Sequence, residues 1–336
     1  MTPEHIILIY GAGGLGKSTT IAQAAAHLWK KSGLRTRVVG ADGGGIKPFK
    51  PLIDKGIVDY WPIDLWDEKS VFATMDLATK GWFPLDSNKP GSELLPPAEE
   101  YRECPVCNQD CGARGLSMVT KCIACTVAIT PGVRLEKKMR PVNNSDKVGL
   151  YAFEGATAFG QRLLSRLKSI DSSGGMSIKD GETTITQLGM QHYGIAQSYL
   201  GQYVANARLI PTFMVMWTAL ELRGNDDGYG KPIYGPALPG KKLTAMCIPW
   251  FTDVIHIEGQ EKAKTQMGSA TVERQFFLTT HYPPDTKPFG FIAKNSAPLG
   301  GDMPEVLIPK PGENVITTYF TELEAANTKA VDKLLA

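Results

Sequence analysis

Apolar residues along this chain form short unbroken runs that alternate with stretches of helical period. The runs predict strands over residues 5–10, 35–41, 57–63, 147–154, 211–218, 252–258 and 272–282. The periodic stretches predict helices over residues 19–31, 67–81, 156–169, 187–209 and 322–336. Unbroken apolar strands that alternate with helices are typical of a mostly parallel sheet with helices on both faces. We therefore expect an α/β fold.

A glycine-rich stretch joins the first predicted strand to the first predicted helix. It fits the pattern G-x-x-x-x-G-K-[ST], the phosphate-binding loop of nucleoside triphosphatases. Backbone N–H groups of such a loop and the positive end of the following helix attract phosphate groups. We expect Lys17 to reach the β- and γ-phosphates of ATP and the Ser18 hydroxyl to bind Mg²⁺. The predicted nucleotide-binding residues are Gly11, Ala12, Gly13, Gly14, Leu15, Gly16, Lys17, Ser18 and Thr19.

The same stretch also satisfies the dinucleotide-binding pattern G-x-G-x-x-G through Gly11, Gly13 and Gly16. Asp42 follows the second predicted strand, near the place where a dinucleotide fold carries its ribose-binding acid. A dinucleotide fold has no use for a lysine and a serine directly after the last glycine. The Lys-Ser pair therefore favours a triphosphate.

Two acidic residues, Asp42 and Glu154, follow predicted strands. Loops at the carboxyl ends of parallel strands build the ligand site of an open sheet. Glu154 ends an apolar run as in a Walker B strand, whose carboxylate accepts from Mg²⁺-bound water opposite Ser18. Asp42 could orient the attacking water or help to hold the water shell of the metal. Which of the two is the catalytic base stays open, and so does an Asp-Gly turn without chemistry at Asp42.

The cysteines indicate a second site. Two C-x-x-C pairs, Cys104 with Cys107 and Cys122 with Cys125, have the spacing of a tetrahedral zinc site, and Cys111 could replace one ligand. We expect a zinc-binding insertion over residues 87–146, with 1–86 and 147–336 forming one core. Basic side chains make the insertion suitable for nucleic acid or a protein partner: Arg102, Arg114, Lys121, Arg134, Lys137, Lys138 and Arg140.

Composition and charge exclude some classes of function. The 336 residues are 43% apolar and 21% charged, which are ordinary globular values, and the formal net charge is +2. A whole-molecule polycation is excluded, so any nucleic-acid surface must be local. Because no run of 18 apolar residues occurs and a core strand begins at residue 5, we expect a cytoplasmic protein without a membrane partner.

Residues 11–42 resemble the first third of RecA-like ATPases, in which a helix follows the phosphate loop and the next strand ends in an acidic catalytic base. The resemblance gives Asp42 the place of that base and Glu154 the Walker B place. It gives Thr218 the place of the polar residue that senses the γ-phosphate. Lys294 takes the lysine of the K-x-R finger that crosses to a neighbouring subunit, with Ser296 where the arginine belongs.

The resemblance implies a RecA-like P-loop NTPase core with an inserted Cys₄ zinc module, working as a homo-oligomer. Residues 235–241 also resemble the small ATPases that bacteriophages carry near recombination and replication genes, which would place the protein in the host cytoplasm. In RecA-like proteins the loops after the sensor strand bind single-stranded DNA. We expect residues 222–244 to be a mobile loop that packs no core. It could bind DNA through Lys241, Lys242, Tyr229 and Tyr234, and a merely solvated loop stays open as the alternative.

Two other functions stay open. Residues 13–18 match the signature K-G-G-x-G-K-[ST] of ParA/MinD proteins, although Ala12 stands in the place of the first lysine. The chain could then be a switch that dimerises on ATP, or a virion or assembly protein that uses the nucleotide fold as a scaffold. Stimulation of hydrolysis by single-stranded DNA favours the RecA-like function, whereas ATP-dependent dimerisation without it favours the switch.

Overall fold

The structure is a computed structural model. It describes residues 3–41, 45–65, 67–87, 92–95, 98–107, 111, 121–122, 125–129, 135, 137–141, 148–170, 177–180, 183–186, 188–224, 233–266, 269–279, 290–291, 293–296, 303–304, 306–309 and 313–335.

Strands and helices are interspersed along the chain. The strands are β1 (His5–Gly11), β2 (Arg35–Gly40), β3 (Val58–Pro62), β4 (Phe83–Pro84), β5 (Leu94–Leu95), β6 (Ala98–Arg102), β7 (Lys137–Pro141), β8 (Val148–Glu154), β9 (Ser177–Asp180), β10 (Thr183–Thr186), β11 (Met214–Gly224), β12 (Ile233–Pro236), β13 (Asp253–Gln266), β14 (Ser269–Thr279), β15 (Gly290–Phe291) and β16 (Val306–Leu307). The helices are α1 (Lys17–Ser32), α2 (Lys50–Ile53), α3 (Glu68–Thr79), α4 (Ala156–Ile170), α5 (Met190–Ala207), α6 (Lys241–Met246) and α7 (Val315–Leu335).

The central sheet is mostly parallel, as the sequence predicts. Its strand order is β16-β14-β13-β1-β11-β8-β2-β3. The pairs from β13 through β1, β11, β8 and β2 to β3 are parallel, and only the β13–β14 and β14–β16 pairs along this path are antiparallel. The expected α/β class is therefore confirmed. None of the helices that the structure describes is long and apolar enough to cross a membrane.

Each face of the sheet carries its own hydrophobic core. Along β1, Leu8 and Tyr10 belong to the core that contains residues of α3, α4 and α5. Ile7 and Ile9, which point to the other face, belong to the core that contains residues of α1 and α7. Every residue of β8 is buried, as expected for a strand covered on both sides. The helix that follows the glycine loop thus lies on the same face as α7.

The expectation that residues 222–244 form a loop without a core is wrong for their described part. Strand β11 continues past the predicted end to Gly224, and β12 returns antiparallel beside it. Leu243 and Thr244 of α6 are buried, and the Thr244 hydroxyl donates to the carbonyl of Pro236 at 3.0 Å. Glycine and proline here mark a tight return of the chain. Composition alone does not distinguish that return from a solvated loop.

Two separate two-stranded sheets lie near the cysteine region in the chain. β4 pairs with β5, and β6 pairs antiparallel with β7 in an unbroken register from Ala98–Pro141 to Arg102–Lys137. The chain then rejoins the central sheet at β8. The paired strands β6 and β7 therefore flank the cysteines in the chain and form a sheet separate from the central one.

A buried carboxylate ties the amino ends of the central strands to the last helix. Asp253 is fully buried and accepts hydrogen bonds from the Tyr319 hydroxyl at 2.6 Å, the Ser296 N–H at 2.8 Å and the Thr252 hydroxyl at 2.6 Å. The His5 Nδ1 atom lies 3.5 Å from it. Burial raises the pKa of this carboxyl, but the nearby His5 and the hydrogen bonds from Thr252, Tyr319 and Ser296 outweigh burial and hold the pKa below its usual value.

We expect Asp253→Ala to lower the free energy of unfolding by about 3 kcal/mol at neutral pH, since four polar partners lose a buried charge. Because the folded-state pKa is lowered, the carboxylate stabilises the fold above the unfolded-state pKa of about 4 and loses this effect as the pH falls through the folded-state value. Urea unfolding at neutral pH measures the loss of stability, and urea unfolding near pH 3 measures how much of that loss disappears in acid.

The exposed Asp76, paired with Lys80 at 2.8 Å, gives the matched control. Asp76→Ala should lower the free energy of unfolding by less than about 1 kcal/mol, because surface ion pairs contribute little to stability. The stability gap between Asp253→Ala and the wild type should shrink in acid. A gap of the same size at both pH values would contradict the assignment.

Candidate functional site

Parallel strands bring most of the predicted site residues to one edge of the sheet. β11 lies between β1 and β8, with Gly11 opposite Leu220 and Trp217 opposite Phe153. The glycine loop, Glu154 and the carboxyl end of β11 therefore share the carboxyl edge. Open parallel sheets bind their ligands at this edge.

The loop between β1 and α1 has a shape that depends on glycine. Gly14 and Gly16 have φ of 75° and 76°, in the left-handed region that residues with a Cβ rarely adopt. Gly16 is the N-cap of α1, and the Thr20 N–H donates to its carbonyl at 2.8 Å. The first N–H groups of a helix have no acceptor inside it, which gives the start of α1 an affinity for anions.

Lys17 lies folded along the loop. Its Nζ atom donates to the carbonyls of Gly11 and Ala12 at 2.9 and 2.8 Å. The outer side of the loop is open, because a Cβ added at Gly13 or Gly14 would meet no atom within 4 Å. An ammonium group in this position is close to any anion that enters the loop.

Glu154 lies directly against the start of α1. The Ser18 hydroxyl donates to its Oε1 atom, although the two residues are 136 positions apart. The Tyr60 hydroxyl approaches Oε2 at 3.5 Å, and a Cβ at Gly45 would lie within 2.3 Å of the same oxygen. Glu154 is only 3% exposed. Serine, tyrosine and the backbone at Gly45 thus enclose this carboxylate on several sides.

Thr218 supports the backbone beside Glu154. Its hydroxyl accepts a hydrogen bond from the Gly155 N–H at 3.0 Å. Two residues on, the Leu220 N–H donates to the Thr157 hydroxyl at 2.9 Å. These bonds fix the turn after β8 and the start of α4 to β11 at the carboxyl edge. The predicted sensing of a γ-phosphate by Thr218 stays a prediction.

Lys294 does not lie beside the loop of its own chain. Its Nζ atom donates to the carbonyl of Phe251 at 3.0 Å. Phe251 precedes β13, in which Asp253 pairs with Ile7 near the start of β1. The cation is therefore at the amino edge of the sheet, roughly 20 Å from the loop at about 3.3 Å per strand residue. A finger role for Lys294 could act only on another subunit and stays a prediction.

Several predicted residues lie outside the described part of the structure. Asp42 and Tyr229 lie outside the described residues, as do the side chains of Tyr234, Lys241 and Lys242. Of the basic residues in the cysteine region, Lys121 is exposed, and the side chains of the others fall outside the described part. The choice between Asp42 and Glu154 as the base therefore rests on chemistry, discussed below.

Sequence reasoning missed a buried contact behind the loop. The Nε2 atom of His256 lies 3.2 Å from Oε2 of Glu221, and the two side chains are 1% and 5% exposed. The His256 ring also packs on Tyr10, with centroids 4.9 Å apart. Glu221 and His256 belong to the strands on either side of β1, so they brace the strand that carries the loop. No local motif signals this pair.

The four predicted cysteines form a compact cluster. The Sγ atoms of Cys104, Cys107, Cys122 and Cys125 all lie within 4.8 Å of one another. The Sγ atoms of Cys104 and Cys125 are 3.9 Å apart, and those of Cys107 and Cys122 are 3.8 Å apart. A tetrahedral site with metal–sulfur bonds of about 2.3 Å has sulfur–sulfur edges of about 3.8 Å. The cluster therefore fits a metal ion such as zinc.

Backbone N–H groups already favour the thiolate form at this cluster. The N–H groups of Cys107 and Val106 point at the Cys104 sulfur and lower its pKa to about 7, against the effect of burial. Cys111 is buried beside the cluster, in a small core with Ile129 and Leu135, but is not among the four clustered sulfurs. A ligand role for Cys111 is therefore not supported.

A search against models of known protein families and a search of curated proteins both give no match for this chain. The functional argument consequently depends on the residues and their geometry.

Proposed function

We propose that the chain is a RecA-like P-loop ATPase that binds Mg²⁺–ATP at residues 11–19 and hydrolyses it while acting on DNA. The observation that carries this proposal is the hydrogen bond from Ser18 to Glu154. A hydroxyl that gives its hydrogen to a carboxylate keeps an oxygen lone pair for a cation. This contact supports the assignment of Ser18 to a Walker A loop and of Glu154 to a Walker B strand, because Mg²⁺ binding needs the two side chains close together.

The residues around Glu154 suit the role of a metal-orienting carboxylate better than the role of a catalytic base. A carboxylate that is 3% exposed and engaged by Ser18 is well placed to orient a metal ligand. It has little access to an attacking water molecule. We therefore assign Glu154 to the metal shell and leave the role of base to Asp42, which precedes Gly45 by three residues in the sequence.

Mg²⁺ would supply charge neutralisation on the phosphates. The chain itself contributes the loop N–H groups, the Lys17 ammonium and the Ser18 hydroxyl. Thr218 keeps the backbone after Glu154 in register. Beyond Ile257 the strands β13 and β14 pair only with each other among the described residues. The DNA part of the proposal is supported by the resemblance to RecA-like proteins alone.

We expect Glu154→Gln to keep ATP binding while kcat falls about 100-fold, since the metal shell loses a negative partner but the loop keeps its donors. Phosphate release and binding of an ATP analogue, measured on the same preparation, separate the two effects. Glu324→Gln, at an exposed position of α7, is the control for removing one charge. An unchanged kcat would remove Glu154 from the site.

The DNA part has its own test. Hydrolysis should rise several-fold when single-stranded DNA is added to the full-length protein. ATP-dependent dimerisation without stimulation by DNA would instead support the ParA/MinD-like switch. Tight ATP binding without turnover would support the scaffold function.

A further inference from the structure

Tyr60 reaches Glu154 from a strand two positions away in the sheet. Gly40 of β2 lies between them, paired with Glu154 of β8 on one side and Pro62 of β3 on the other. Tyr60 precedes Pro62 by two residues, so both project from the same face and the ring leans diagonally across β2. Its hydroxyl ends 3.5 Å from Oε2 of Glu154, at the long limit of a hydrogen bond.

Gly40 makes this reach possible. A Cβ at position 40 would lie 1.8 Å from the Tyr60 hydroxyl oxygen and 2.4 Å from the ring carbon that bears it. The φ of Gly40 is not in the left-handed region. Glycine is therefore needed at position 40 because any side chain there would collide with Tyr60, and not because of the backbone conformation.

The ring of Tyr60 is held firmly in this position. It packs on Phe49, with ring centroids 5.6 Å apart, and Tyr60 as a whole is 4% exposed. A buried phenol needs a polar partner for its hydroxyl. Because the ring is fixed by Phe49 and Gly40, the hydroxyl is aimed at the carboxylate before any ligand arrives.

We propose that Tyr60 is a positioning residue for a divalent cation bound at Ser18. The proposal rests on the proposed function, since it concerns the same site. Ser18 engages Oε1 of Glu154 and Tyr60 faces Oε2, so together they fix the plane of the carboxylate. The orientation of Glu154 in turn fixes the direction of the Ser18 lone pair. Partners of this kind set how tightly a metal binds.

The competing explanation is that Tyr60 is a core aromatic whose hydroxyl affects stability alone. Both explanations predict that Tyr60→Phe lowers the unfolding midpoint. Only the positioning role predicts a change in the cation concentration that triphosphate binding requires.

Tyr151→Phe is the matched control. Tyr151 is also buried, and its hydroxyl donates to the carbonyl of Trp82 at 3.0 Å, far from Glu154 on the other face of the sheet. The experiment titrates Mg²⁺ into full-length protein with a fluorescent, non-hydrolysable ATP analogue. We expect half-maximal binding to need about tenfold more Mg²⁺ in Tyr60→Phe and no change in Tyr151→Phe.

Gly40→Ala tests the same geometry without touching the phenol. The added methyl group must displace Tyr60, so it should raise the Mg²⁺ requirement in the same direction. Unfolding midpoints measured without nucleotide show that each variant is folded. A Tyr60→Phe or a Gly40→Ala protein with the wild-type Mg²⁺ requirement would overturn the inference. A wild-type protein that binds no triphosphate would instead overturn the proposed function itself.

Discussion

Replacing Lys17 with alanine should abolish ATP hydrolysis, with kcat lower by on the order of a thousandfold, and should also weaken ATP binding. The ammonium group lies inside the loop, on the carbonyls of Gly11 and Ala12. It has only to turn outward to face the β- and γ-phosphates of a bound nucleotide. Phosphate release and equilibrium binding of an ATP analogue measure the two effects.

The matched control is Lys30→Ala, which removes the same charge from the exposed last turn of the same helix. This variant should hydrolyse ATP at the wild-type rate. Lys17→Arg adds a further comparison, because it keeps the charge and changes the shape of the donor. Near-normal turnover in Lys17→Ala would refute the assignment of the loop.

Removing the metal from the cysteine cluster should unfold that region and leave ATP binding nearly intact. The buried core around the cluster is small, and among the described residues it consists of Cys104, Cys111, Cys122, Ile129 and Leu135. Such a core contributes little stability, whereas zinc binding in small modules is worth about 10–16 kcal/mol. Elemental analysis should find about one zinc per chain, and a chelator should make the region sensitive to protease.

Two cysteine variants make this prediction specific. Cys107→Ser removes a member of the four-sulfur cluster and should release the zinc. Cys111→Ser changes a neighbouring buried cysteine outside the cluster and should keep it. Zinc retained in Cys107→Ser, or lost only in Cys111→Ser, would show that the ligand set is wrong. Loss of ATP binding on chelation would show that the region is not a separable insertion.

Local patterns in the sequence predict the elements around the site with small errors. The first strand, predicted over 5–10, is His5–Gly11, and the helix predicted over 156–169 is Ala156–Ile170. The last helix begins earlier than its predicted start at 322, because Asn314 caps it by accepting from the Ile316 N–H at 2.9 Å. A cap of this kind is visible in a sequence.

Longer-range features were harder to predict. The segment over 222–244 looks like a solvated loop because glycine and proline dominate it. In the fold, β12 has β11 as a pairing partner and α6 has a core to pack against. Pairing of this kind depends on neighbours that the local sequence does not specify.

The sequence by itself determined the glycine loop after β1 and the cysteine cluster, since both are short motifs whose residues lie close together in the chain. Only the tertiary structure decided which distant side chains meet the loop. Ser18 meets Glu154, and Tyr60 reaches the same carboxylate, because β8, β2 and β3 are neighbours in one register and Gly40 leaves the gap between them. A shift of one residue in that register would turn these side chains to the opposite face, so their meeting is a property of the whole sheet.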